Sequence, residues 1–159
     1  MSGFYRFASS HRLEAPRDAV FAVLAEAETW GEWWPQIRSI TAHSDVTGEV
    51  RIRSLLPLTL VLELTSEVVD ASRGVLRARL AGDLEGWAQF TVNSWTECGP
   101  GAGPVGEQSA TRLDYVQEAT LVRPRVPAAL AYAMRPVLIA NHRLMMRSGM
   151  RGLEAKARE

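Results

Sequence analysis

One cysteine, Cys98, occurs in the 159 residues, so the chain has no disulfide framework and no Cys-x-x-Cys metal or redox motif. A reducing, cytoplasmic setting suits it. No stretch reaches the roughly 18 uninterrupted apolar residues that a spanning helix needs. Residues 1–12 show no long apolar run and no small-residue cleavage site, which argues against a secretory signal. Net charge is missing too: 18 basic and 18 acidic side chains are interspersed, leaving no electrostatic footprint for nucleic acid or an anionic membrane. Lysine is nearly absent, with Lys156 standing beside seventeen arginines. That set would suit bidentate anion recognition, but a bacterial-type codon bias is the simpler account. The length fits a single domain, 1–159, able to bury about 68–70% of the surface exposed when unfolded.

What is present sorts by period. Tyr5, Phe7, Ser9, His11 and Leu13 alternate with Arg6, Ala8, Ser10 and Arg12, which predicts a strand over 4–13. Pro16 suits the first turn of a short helix carrying Val20, Phe21, Val23 and Leu24 up to about Ala27. Thr29 is placed to cap a further turn, which Pro35 ends. From 37 to 122 the period is two, with turn signals at 45–48, Leu56-Pro57, 72–74, Gly82-Asp83 and the Gly/Pro-rich loop 98–109, so six further strands fit. Arg51, Arg53, Glu63, Glu67, Arg77, Arg79, Glu85, Gln89, Arg112, Asp114 and Glu118 fall on one face, their sign alternating between strands. The other face is apolar, running from Val50 through Leu62, Leu80, Ala88 and Phe90 to Tyr115, Gln117 and Leu121.

The carboxyl end supplies a cover. After Pro124 and Pro127 a helical pattern runs to about Ala155, its stripe passing through Leu130, Met134, Val137, Leu138, Asn141, Leu144, Met145, Ser148 and Gly152. Pro136 implies either a kink or two helices joined near 132–135. The expected class is α+β: a curved seven-stranded antiparallel sheet gripping a long C-terminal helix, with two short helices between strands 1 and 2.

Trp30, Trp33 and Trp34 crowd the second of those helices. Tryptophan is rarely fully buried and its N–H needs a partner, so the cluster reads either as a cavity wall or lid, or as a hydrophobic plug at the sheet's end.

The succession of elements resembles the START-like helix-grip superfamily, or SRPBCC, and within it the polyketide cyclase/dehydrase and lipid-transport branch. The resemblance rests on the segment 13–21 leading into Trp30 to Pro35, on Gly82-Asp83-Leu84-Glu85-Gly86, on Thr111-Arg112-Leu113-Asp114-Tyr115, and on Asn141-His142-Arg143 with Met146 and 149–153. It implies an apolar cavity between sheet and long helix that takes a lipid, polyketide or other hydrophobic molecule. It also implies a gate formed by the short helices. On a helix the adjacent Trp33 and Trp34 point about 100° apart, so Trp34, with Trp30 at the four-residue spacing, is expected toward the ligand and Trp33 toward the surface.

The polar groups on the apolar faces are then the chemical candidates. Asn141 sits central in the stripe, where an amide either grips a ligand carbonyl or hydroxyl or holds a neighbouring element. His142 lies at the stripe's edge and, with Asn141 and Tyr115, is a candidate for proton transfer. His11 faces inward by parity, as a ligand contact or a satisfied core histidine. The expected ligand-binding set is Trp30, Trp34, His11, Phe90, Tyr115, Gln117, Met134, Leu138, Asn141 and Met145. No metal or other cofactor is expected, the three histidines being scattered with no cysteine partner, and the lack of a carboxylate pair that clearly faces inward argues against glycosidase-like acid/base chemistry. Carrier or sensor is the first reading, and polyketide cyclase, aromatase or dehydratase the second. A homodimer is left open.

Overall fold

Alternation of apolar and polar side chains carries through into seven strands. In the computed structural model, which describes residues 4–53, 58–95, 110–123 and 127–159, these are β1 (Phe4–Leu13), β2 (Ile37–Ala42), β3 (Thr47–Arg53), β4 (Thr59–Asp70), β5 (Val75–Gly82), β6 (Leu84–Ser94) and β7 (Thr111–Leu121). They form one antiparallel sheet in the order β1-β7-β6-β5-β4-β3-β2. Helix α1 (Arg17–Ala25), a 3-10 turn (Ala27–Thr29) and α2 (Trp30–Trp33) lie between β1 and β2, while α3 (Ala128–Ala133) and α4 (Arg135–Ala157) close the chain. This is the α+β sheet-and-helix architecture expected from the sequence. The expected turn at Leu56-Pro57, the loop 98–109 with Cys98, and Pro124 lie outside the described residues.

Strand parity follows the sequence. Leu113, Tyr115, Gln117 and Ala119 are buried along β7, and Phe90 of β6 stands opposite Tyr115. On the outer face Glu67 of β4 takes both Arg77 and Arg79 of β5 at 3.2 Å, and Arg6 of β1 meets Glu118 of β7 at 3.3 Å. Such solvated pairs contribute a few tenths of a kcal/mol each. Two pairs form within a strand instead, Arg51 with Glu49 and Arg112 with Asp114. A bulge between Ser66 and Val68 puts two residues of β4 against one of β5, so that Val69 faces Leu76.

Several local expectations are corrected. Pro16 precedes the first helical turn in extended conformation, φ −63° and ψ 142°, and α1 ends at Ala25. The Thr29 hydroxyl donates back to the Glu26 carbonyl at 2.8 Å rather than capping α2. At Pro136 the chain forms two helices joined at Met134, whose N–H donates to the Leu130 carbonyl at 2.9 Å. Pro136 falls in the first turn of α4, where a missing N–H costs nothing.

The phase of the long helix is also corrected. Leu130, Val137 and Leu144 are 49%, 45% and 47% exposed, whereas Met146, Gly149, Met150 and Leu153 are buried. Small residues set this rotation. A Cβ on Gly149 would lie 2.5 Å from Cε2 of Trp34, and one on Gly152 would lie 1.8 Å from the Trp33 carbonyl oxygen. The helix therefore rests its glycine side on the tryptophans, and α4 packs against α1, α2 and β1. Trp33 is consequently buried, at 6% exposure, and not turned to the surface. Trp34 leaves the helix in extended conformation, φ −109° and ψ 99°, so the two rings stack at 5.6 Å and 16° instead of diverging.

Candidate functional site

Between the inward face of the sheet and the first half of α4 lies a cavity of about 670 Å³. Its floor is aliphatic, with Val50, Leu62, Leu64, Leu76, Leu80 and Leu84 from successive strands. Leu138, Asn141, His142 and Met145 form the roof, and Trp30 and Trp34 close one end. At the rim stand Glu26, Glu28, Ser44, Asp45, Val46 and Leu58. That volume matches the usual range for small-molecule sites.

An arc of aromatic rings runs along the wall. Trp34 and Trp30 lie 6.2 Å apart, Trp30 meets Phe90 edge-on at 6.4 Å, and Phe90 meets Tyr115 at 4.9 Å. Tyr115 faces His142 at 5.7 Å, and the His142 imidazole stacks on Phe7 at 3.9 Å and 9°. Each indole at the closed end is anchored by its polar edge. Trp30 Nε1 donates to the Leu24 carbonyl at 3.0 Å, and Trp34 Nε1 donates to the Met145 carbonyl at 3.1 Å. The ring faces are thereby left for the cavity.

The polar groups gather at one pole. The Tyr115 hydroxyl donates to Oε1 of Gln117, both residues being buried. Desolvation raises the Tyr115 pKa far above its ordinary value, so the phenol stays protonated. Burial pushes His142 down to about 4, which makes it a neutral imidazole at pH 7. Its Nε2 is buried without a hydrogen-bond partner among the described residues. Arg77 reaches the cavity edge with its charge engaged outside, 3.2 Å from Glu67 and 4.1 Å over the Trp87 ring. The inner wall is thus apolar with a neutral polar pole. It can enclose an uncharged hydrophobic body and exchange hydrogen bonds with one end of it.

Of the expected ligand contacts, Trp30, Trp34, Phe90, Tyr115, Gln117, Leu138, Asn141 and Met145 are brought together in this wall. His11 and Met134 are not. His11 faces inward as parity requires, but it sits toward the Leu13 end of β1, hydrogen-bonded to Ser9 Oγ at 2.9 Å. Burial lowers its pKa against the opposing pull of Asp114. Met134 lies at the joint of α3 and α4, before the helix reaches the cavity. His142 belongs to the roof and not to the stripe's edge, a consequence of the helix rotation. Sequence reasoning missed Phe7 as the partner of His142, although alternation along β1 already turned it inward. It also missed the rim segments 25–29 and 44–48, which carry no periodic signal. Among the described residues no group of three His, Cys, Asp or Glu is placed to hold a metal, and no helix is long and apolar enough to cross a membrane.

The sequence matches no protein-family model and no curated protein. Solved structures resemble it in shape across nearly its whole length. The Zhui aromatase/cyclase of a Streptomyces species matches with TM-score 0.71 at 12% identity, over 98% of this chain and 94% of that one. A Thermus thermophilus protein matches with TM-score 0.74 at 14% identity, over 96% and 97%. A START superfamily protein of Mycobacterium smegmatis matches with TM-score 0.66 at 12% identity, also over 96% and 97%. Sheet order, short paired helices, long terminal helix and these likenesses together identify the fold of the chain as the START-like helix-grip fold, SRPBCC.

Proposed function

We propose that the chain binds a hydrophobic small molecule in this cavity, as a carrier or sensor in the cytoplasm. The observation that carries the reading is the arc of rings from Trp34 to Phe7 along the wall of a cavity of about 670 Å³. Aromatic faces and aliphatic floor favour a flat, largely apolar ligand, and the neutral pole of Tyr115, Gln117, Asn141 and His142 orients it. A lone cysteine suits a reducing compartment. Titration with fatty acids, flavonoids and polyketides while following tryptophan fluorescence tests the reading, because Trp30 and Trp34 report directly on the wall. Saturable quenching that Trp30→Ala weakens supports it, and the absence of any response across the panel refutes it.

A second reading, a polyketide cyclase, aromatase or dehydratase, is favoured by one observation: a neutral, buried imidazole stands 5.7 Å from a protonated phenol inside the cavity. The Zhui likeness supports the same direction at the level of fold. In that reaction the cavity would fold the chain into one geometry, with His142 moving a proton, Asn141 polarising a carbonyl and Tyr115, its hydroxyl proton given to Gln117, positioning the chain. Product profiles of His142→Ala and Asn141→Ala separate the readings. A changed profile assigns turnover, and an unchanged one leaves the carrier.

A further inference from the structure

The zero net charge of the chain conceals a local segregation. From 119 to 153 the sequence has six arginines and no acidic residue. On β1, β5 and β7 the arginines are neutralised where they stand, Arg6 with Glu118, Arg12 with Glu14, Arg77 and Arg79 with Glu67, and Arg112 with Asp114. Arg135, Arg143, Arg147 and Arg151 of α4 are exposed, and none has a carboxylate within ion-pair distance among the described residues. Steps of four place Arg143, Arg147 and Arg151 in one row along the helix. The row ends at Glu154, whose carboxylate is occupied by the Glu14 backbone N–H at 2.9 Å and by Arg158 at 4.0 Å.

Beside that row runs an apolar one. Leu130, Val137 and Leu144 recur every seven residues and are each close to half exposed, and Tyr132 nearby is 74% exposed. The α3–α4 joint keeps them aligned, since Met134 N–H donates to the Leu130 carbonyl and Leu138 N–H to the Met134 carbonyl. Leu138 and Met145, one residue beyond Val137 and Leu144, line the cavity. The apolar row therefore lies between unpaired arginines and the cavity roof.

The geometry points to a docking face for an anionic lipid bilayer, with the outer side of α3 and α4 lying in the headgroup plane. Leu130, Val137 and Leu144 enter the acyl boundary, and Arg143, Arg147 and Arg151 meet the lipid phosphates. A nucleic acid would use the arginines alone and leave the apolar row in water, which is why the bilayer is the better fit. The overall balance of charge is no obstacle, because attraction falls off within a Debye length and is set by the face presented.

The test is co-sedimentation of the full chain with phosphatidylcholine vesicles containing about one third phosphatidylglycerol, against pure phosphatidylcholine vesicles. Binding is expected only to the anionic set, with each arginine contributing about fivefold to partitioning and most binding lost at about 0.5 M salt. Arg143→Glu/Arg147→Glu/Arg151→Glu abolishes it and Val137→Glu/Leu144→Glu weakens it at least tenfold, while Arg51→Glu/Arg53→Glu on the outer sheet face keeps it. Absence of vesicle binding by the unmodified chain, or equal binding by the triple variant, overturns the proposal. So does a dimer in solution that Leu144→Glu dissociates without vesicle binding, which would assign the face to a second copy.

Discussion

Gly149 faces the indole of Trp34 so closely that a Cβ there would come within 2.5 Å of Cε2. Four residues earlier on the same helix, Met145 accepts the hydrogen bond of that indole at 3.1 Å. The ring is held at its edge and covered on its face by one turn of helix. Exposed glycine in a helix normally gains about 1 kcal/mol on replacement by alanine. Here the sign reverses. Gly149→Ala should destabilise by about 1–3 kcal/mol, and Gly152→Ala, which meets the Trp33 backbone and not a movable side chain, by more. Chemical denaturation of both variants checks the order.

Trp33 and Trp34 are equally buried but differently satisfied. Trp34 Nε1 has its carbonyl partner, whereas Trp33 Nε1 is buried without one among the described residues. Trp34→Phe should therefore cost about 2–3 kcal/mol, from lost packing and the lost indole hydrogen bond. Trp33→Phe, which removes a donor already unsatisfied, should cost about 1 kcal/mol less. Urea midpoints with unchanged slopes measure the difference.

Tyr115 and Gln117 form a buried pair one strand-step apart on β7. Tyr115→Phe leaves the Gln117 oxygen without its donor and should destabilise by about 1–3 kcal/mol. Adding Gln117→Leu should recover part of that loss, because both polar partners are then gone. A double-mutant cycle should give a coupling of about 1–2 kcal/mol, and a coupling near zero would show that the hydroxyl is satisfied elsewhere.

Acid should weaken the fold through His142. Its pKa falls from 6.5 in the unfolded chain to about 4 when buried, so between those values the unfolded chain binds a proton that the native chain refuses. The part of the stability linked to His142 should decline as pH drops from about 6.5 to 4, by about 3 kcal/mol in total, and change no further below. His11, lowered by burial despite Asp114, adds slope of the same sign. His142→Leu should flatten the profile without abolishing it, as followed by denaturant titrations at a series of pH values.

Most of the sheet was legible because alternation has a rigid period of two and burial enforces it, as β7 shows from Leu113 to Leu121. The helix was harder to read. Apolar residues occupy more than one side of α4, so hydropathy placed Val137 and Leu144 inward, while the true contact is made where glycine lets tryptophan approach. A stripe of small residues signals closeness, not apolarity, and hydropathy does not register it. Trp33 was misassigned for a related reason. A 100° step between Trp33 and Trp34 assumes that the helix continues, but it stops at Trp33 and the next residue is extended. His11 shows the limit of parity, which gives the face of a strand and not the position along it.

The long helix divides its labour along its length. Its second half, from Met146 to Leu153, carries the buried residues and rests on Trp33 and Trp34, and the stretch from Leu138 to Met145 meets the cavity instead. Anchorage and cavity lining thus occupy separate stretches of one rod. Substitutions at Leu138 or Asn141 can reshape the cavity while the tryptophan–glycine clasp keeps the chain folded, so the lining can change over evolutionary time at little cost to stability.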